Sequence, residues 1–328
     1  MKYTIPKPQW MHSMAVAKYK PNVIVSILIL IAVYIAYFLF SLIATSIYLI
    51  ICFSQNTNAF NGSFGEMIQN IIQISTSQDT ILFSLYLMAV FILFIIIEAR
   101  CIEKRPICTL GLSRRRFALN YLIGFGIGSL LLAVHLLPDI ISEWGNISYL
   151  GFNTAVFPFL IAFVIQTACE EIMFRGYLLT SFGNKIGMFW AVMLSSLLFS
   201  LFHIFNGDLT ILSAVNLFAI GAFLGFYAIR TNDIWGACGI HAAWNFVQGL
   251  FAPMNIGPLW LDYSIVSLGG KDFSPQNICI LGDPLSLISI AIFAVAIVCV
   301  LFVGRKKIIR LKESHIVSDS RNDMQTGA

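Results

Sequence analysis

The chain has 328 residues, of which 58% are apolar and only 11% charged, with a formal net charge of +4. Soluble domains carry about 25% charged residues. The composition therefore excludes an ordinary soluble domain and a nucleic-acid-binding protein, and points to one built into a membrane.

Eight apolar stretches are long enough to cross a hydrocarbon layer, which takes about 20 residues each. They run approximately 23–51, 80–97, 117–137, 152–172, 186–205, 209–229, 233–252 and 284–304. The first follows a basic leader, is too long for a signal peptide and lacks a small-residue cleavage site, so it reads as a retained anchor. Residues 54–79, with Asn56, Asn58, Asn61 and Gly62, read as a polar loop. The triplet Asn61-Gly62-Ser63 would be glycosylated only in a eukaryotic secretory setting. Arg114-Arg115-Arg116 is a juxtamembrane basic cluster suited to anionic lipid. Gly124, Gly126 and Gly128 in the third stretch, and Gly221 with Gly225 in the sixth, suit close helix packing in lipid. The expected fold is a single all-α integral membrane domain over 1–328, a polytopic transmembrane helix bundle of about eight spans. Residues 1–22 and 305–328 are expected as tails.

All Lys and Arg except Arg175 and Lys271 fall in the N-terminal tail, residues 99–116, the links at Lys185 and Arg230, or the C-terminal tail. With eight spans these segments share one side, which the positive-inside rule makes cytoplasmic. Both termini are then cytoplasmic, and the opposite loops carry Glu66, Asp79, Asp139, Glu143, Asp208, Asp262, Asp272 and Asp283.

The fourth stretch ends in Cys169-Glu170-Glu171-Ile172-Met173-Phe174-Arg175-Gly176. A carboxylate in a membrane helix costs roughly 2.5 to 3.5 kcal/mol, so two adjacent ones need partners and usually a function. Glu171 and Arg175 are four apart and share a face, which allows an ion pair. Glu170 is turned about 100° away, has Gln166 one turn before it, and is the carboxylate free to act on water or substrate. A structural charge cluster locking helices together is the plainer alternative.

Phe199-Ser200-Leu201-Phe202-His203 places a histidine late in the next span, and His241-Ala242-Ala243-Trp244-Asn245 sets His241 and Asn245 on one face of another. A carboxylate, two imidazoles and a carboxamide are the parts needed to activate water and hold an oxyanion. With Glu-Glu-x-x-x-Arg, Phe-x-x-x-His and His-x-x-x-Asn in order on three helices, the chain resembles the CAAX protease and bacteriocin-processing (Abi, type II CAAX endopeptidase) family of intramembrane proteases. The resemblance covers about residues 150–250.

What it implies is an intramembrane endopeptidase of the bacterial plasma membrane. Its partners would be the lipid bilayer and a membrane-associated peptide or protein, either prenylated or a leader peptide, with no nucleic acid. Glu170 would take a proton from water, His203 orient that water, His241 and Asn245 hold the oxyanion, and Glu171 with Arg175 fix the helix. Zinc held by Glu170, His203 and His241 is the alternative chemistry, although no His-Glu-x-x-His motif is present. A bacteriocin self-immunity or scaffold factor, or a transporter, is the non-proteolytic alternative; no internal repeat supports transport. The seven cysteines form no C-x-x-C pair, Cys52 and Cys279 are the two able to reach an oxidising side, and Cys169 reads as packing. His12, His135 and His315 have no partner at a useful spacing. The topology poses one difficulty: Glu170 and His203 both come late in oppositely directed spans, so straight helices ending at the predicted bounds would hold them far apart, unless the fourth helix is long and tilted, running on to about Thr180, or a helix is kinked or partly re-entrant.

Overall fold

The computed structural model describes residues 5–55, 63–142, 144–206, 210–251, 254–256, 259–261, 263–267 and 287–302. Asn56, Asn58, Asn61, Gly62, Asp208, Lys271, Cys279, His315 and the 305–328 tail lie outside them. The chain is an all-α bundle: α1 Val23–Gln55, α2 Phe64–Ser75, α3 Gln78–Ile97, α4 Phe117–Ser142, α5 Val156–Glu171, α6 Met188–Phe202, α7 Ile211–Thr231, α8 Trp235–Phe251 and α9 Leu287–Phe302. Among the described residues, five helical segments are long and apolar enough to cross a membrane: Val23–Gln55, Gln78–Ile102, Phe117–Pro138, Val156–Gly183 and Ile211–Thr231. Two small antiparallel ladders, Ser148–Tyr149 with Val266–Ser267 and Met254–Ile256 with Leu259–Leu261, sit in the connections.

One helix departs from the predicted bounds in a way that removes the difficulty of depth. After Glu171 the chain does not leave the bundle; it widens into a π-helical segment, Ile172–Leu178, and continues as Leu179–Gly183. Glu170 is thereby near the middle of a continuous helical path, Val156–Gly183. At 1.5 Å per residue it stands about 20 Å above the Gly183 end, and His203 stands about 22 Å from Met188 at the start of α6. The two residues therefore share a depth. Such π turns recur at functional sites because they re-aim side chains within a helix.

Close backbone approach holds the interior together. A Cβ on Gly124 would stand 2.0 Å from the Gly236 carbonyl oxygen, and one on Gly128 2.4 Å from that of Ile240, so α4 and α8 touch along their backbones. The middle glycine of the predicted stripe, Gly126, faces open space. Where lipid offers no hydrophobic drive between helices, such close packing supplies the attraction. By contrast α1 is largely exposed along Ile24–Ile51, as an apolar helix facing hydrocarbon would be.

One end of the bundle gathers the basic segments. Gln9 N–H donates to Asn232 Oδ1, Trp10 Nε1 to Thr180 Oγ1, Ile234 N–H to the Gly111 carbonyl, and Trp235 Nε1 to the Ser113 carbonyl. At the other end His135 Nδ1 and Ser289 Oγ are 2.8 Å apart, which directs α9 from there toward the basic end. His135 thus has a partner that spacing could not reveal.

One expectation is corrected. The 54–79 stretch is not simply a loop, because Ser63 and Glu66 form a capping box that starts α2. Within residues 99–116, the Arg105 side chain is buried and lies 3.2 Å from Glu103, over the Tyr177 ring at 4.6 Å. Tyr177 donates to Glu103 Oε1 at 2.7 Å, and Glu98 is buried in the same region.

Candidate active site

The π segment, α6, α7 and α8 meet around the two glutamates. Glu171 is fully buried, and its Oε1 accepts from Arg175 NH1 at 2.8 Å and faces His241 Nδ1 at 2.9 Å. Arg175 is equally buried; its NH2 donates to the Gly221 carbonyl at 3.1 Å, and its guanidinium lies 4.4 Å above the Phe199 ring. A side chain on Gly221 would press on Ser196 and Phe199 at 3.1 and 3.3 Å, so this glycine lets α7 approach closely enough for its carbonyl to meet the arginine. Two carboxylates next to one guanidinium would otherwise be ruinous in a dry interior, and the paired geometry offsets their desolvation.

Glu170 is placed differently. Its Oε1 accepts from Gln166 Nε2, and Gln166 Oε1 in turn accepts from Asn245 Nδ2 at 3.1 Å. Its Oε2 has no hydrogen-bond partner among the described residues and lies 3.8 Å from His241 Nε2. With a carboxylate facing its Nδ1, the His241 ring donates there and turns Nε2 toward Glu170. Two polar atoms 3.8 Å apart are too far for a direct hydrogen bond; the separation is one that a bridging water would span at about 2.8 Å from each.

His203 points its Nδ1 to its own turn, at 2.8 Å from the Phe199 carbonyl, which leaves Nε2 with its lone pair. Its ring rests on Phe199 at 4.7 Å, and Phe199 also meets the His241 ring at 5.8 Å. Phe199 therefore spaces three functional groups: His203, His241 and Arg175. Its place in the Phe-x-x-x-His pattern marked the residue, but only packing reveals that service. Gln166 is the other residue whose part emerges here, as the bridge from Asn245 to Glu170. Ser196 Oγ and both amide atoms of Asn216 are also buried without a hydrogen-bond partner among the described residues.

The groups differ in accessibility. Glu171 and Arg175 are sealed, Glu170 and His241 are 6% and 5% exposed, and Gln166, His203 and Asn245 are half-buried. Among the described residues no group of three His, Cys, Asp or Glu side chains is arranged to hold a metal ion. Cys169 is buried in the core against Glu170's own helix, consistent with packing.

Residues 152–247 match the family model described as type II CAAX prenyl endopeptidase Rce1-like, and this segment holds all three motifs. The chain is also similar to the uncharacterized protein YyaK of Bacillus subtilis (strain 168), at 30% identity over 189 residues. That alignment takes in 52% of this chain and 62% of the relative, so it spans less than two thirds of the relative's length.

Proposed function

We propose, from the premise that residues 152–247 are a CAAX-type endopeptidase segment, that this protein hydrolyses a peptide bond of a membrane-associated substrate with water activated by Glu170. The observation that carries the reading is the unpartnered Glu170 Oε2 at 3.8 Å from His241 Nε2, in a site closed on its inner side. Glu170 takes a proton from the water, and the oxygen attacks the peptide carbonyl. The same carboxyl then returns that proton to the leaving amine. His203, tied through Nδ1 to the Phe199 carbonyl, uses Nε2 to orient the water. The His241 ring, held by Glu171, and the remaining amide N–H of Asn245 face the oxyanion.

Glu171 and Arg175 touch no substrate in this scheme. They fix the helix and the His241 ring, and so keep Nε2 on the same point as Glu170. The substrate is a prenylated protein tail or a leader peptide, presented by the bilayer of a bacterial plasma membrane. The test is to compare peptides accumulating in membranes that carry the wild type with those carrying Glu170→Gln. Fragments present with the wild type and missing with the variant, at equal protein level, are expected; identical peptide sets in the two membranes would overturn the proposal.

A further inference from the structure

A cavity of about 370 Å³ opens at the basic end of the bundle, away from the Glu170 site, lined by Lys7, Met11, His12, Met14, Ala15, Lys20, Asn184 and Lys185. It forms because residues 5–20 fold back as a strap. Trp10, Met11, Met14 and Ala17 of the strap are buried, with Trp10 Nε1 bonded to Thr180 Oγ1 at 3.1 Å. Lys7 Nζ donates to Asn184 Oδ1 at 3.2 Å, Asn184 Nδ2 donates to the Thr180 carbonyl at 2.9 Å, and Lys20 Nζ donates to the Ala15 carbonyl at 2.9 Å.

Lys7 and Lys20 each spend one of three ammonium donors on these bonds and keep two apiece. Lys7, Lys20 and Lys185 bring three positive charges to one small concavity, with His12 beside them, and among the described residues no Asp or Glu lines it. Like charges held this close repel, and an anion between them offsets the repulsion. Apolar groups flank the basic ones: Val16 is 70% exposed and Trp190 64%, with Ile186 next to Lys185 also open. A tryptophan and aliphatic side chains beside lysines match the boundary where headgroups meet acyl chains.

We propose that this cavity binds the phosphate of an anionic phospholipid, and that the bound headgroup clamps the 5–20 strap onto the end of the helix that carries Glu170. The site is independent of the peptidase reading. The shared chemistry is a phosphate group, so free inorganic phosphate is the second source to distinguish.

The experiment follows hydrogen exchange of amides 8–20 in the full chain in neutral detergent micelles. The additives are phosphatidylglycerol, phosphatidylcholine or inorganic phosphate. Phosphatidylglycerol is expected to slow strap exchange about tenfold once its concentration is some ten times the dissociation constant, and phosphatidylcholine is not. The triple variant Lys7→Gln/Lys20→Gln/Lys185→Gln should lose the slowing. Lys18→Gln and Arg114→Gln, exposed cations at the same end but outside the cavity, should keep it. Slowing by inorganic phosphate as well identifies the phosphate alone as sufficient; slowing by the lipid alone assigns the headgroup. Equal loss in the control variants, or no slowing of the wild type by either phosphate source, would overturn the proposal.

Discussion

Replacing Glu171 by glutamine should damage the fold, while the same change at its neighbour Glu170 should not. Glu171 Oε1 is the acceptor for both Arg175 NH1 at 2.8 Å and His241 Nδ1 at 2.9 Å, all three groups being at most 5% exposed. Glutamine at 171 keeps one amide oxygen for Arg175 NH1 and His241 Nδ1 but removes the negative charge that balances the buried guanidinium. Breaking a buried pair from one side costs about 3 to 5 kcal/mol. For a large domain each kcal/mol lowers the melting temperature by about 2 to 4 °C, so a drop on the order of 10 °C is expected. Glu170→Gln keeps an oxygen for Gln166 Nε2 and should shift the melting temperature by about 2 °C or less while removing cleavage. Arg175→Gln should resemble Glu171→Gln, and the double variant should be less harmed than the sum, because the two residues share one interaction. Thermal unfolding in detergent alongside peptide cleavage for all four variants decides it. Equal melting temperatures for Glu170→Gln and Glu171→Gln would refute the division of labour.

Under the proposed activation of water by Glu170 alone, dialysis against EDTA should leave cleavage intact; activity that is lost and then restored by zinc would contradict this. Gly124→Val should prevent accumulation of folded protein, its Cβ falling 2.0 Å from a backbone oxygen of α8, whereas Gly126→Ala, with open space around it, should accumulate normally; membrane yield compares them. Arg105→Gln should destabilise by about 3 kcal/mol through the stranded Glu103, and Tyr177→Phe by only about 1 kcal/mol, both read from unfolding midpoints. Glu66 is held below the usual glutamate range by the Ser63 backbone N–H and then by its hydroxyl. Its support of α2 is therefore full above the ordinary carboxyl range and fades as the pH falls through the depressed value. Hydrogen exchange over 64–75 should accelerate on acidification in the wild type beyond the intrinsic rate change, and not in Glu66→Gln, which caps without titrating.

The sequence by itself determined that this is a membrane bundle, because eight apolar runs and a one-sided placement of Lys and Arg need no tertiary information. It also singled out Glu170, Glu171, Arg175, His203, His241 and Asn245, since polar groups in apolar helices are conspicuous, and (i, i+4) geometry alone paired Glu171 with Arg175. Helix length was harder to read. A fourth helix running on to about Thr180 was one of the alternatives the sequence left open, and packing against α6, α7 and the 107–110 turn is what keeps residues 172–183 helical and buried. That extension sets Glu170 and His203 at one depth. Only tertiary contact brought His241 Nδ1 to Glu171, linked Asn245 to Glu170 through Gln166, and gave Phe199 three neighbours. It also buried Arg105 against Glu103 and Tyr177. The physical reason is the range of the forces: burial propensity and helical spacing are local and written in order along the chain, whereas the partner of a buried charge is chosen by whichever helix the packing brings alongside.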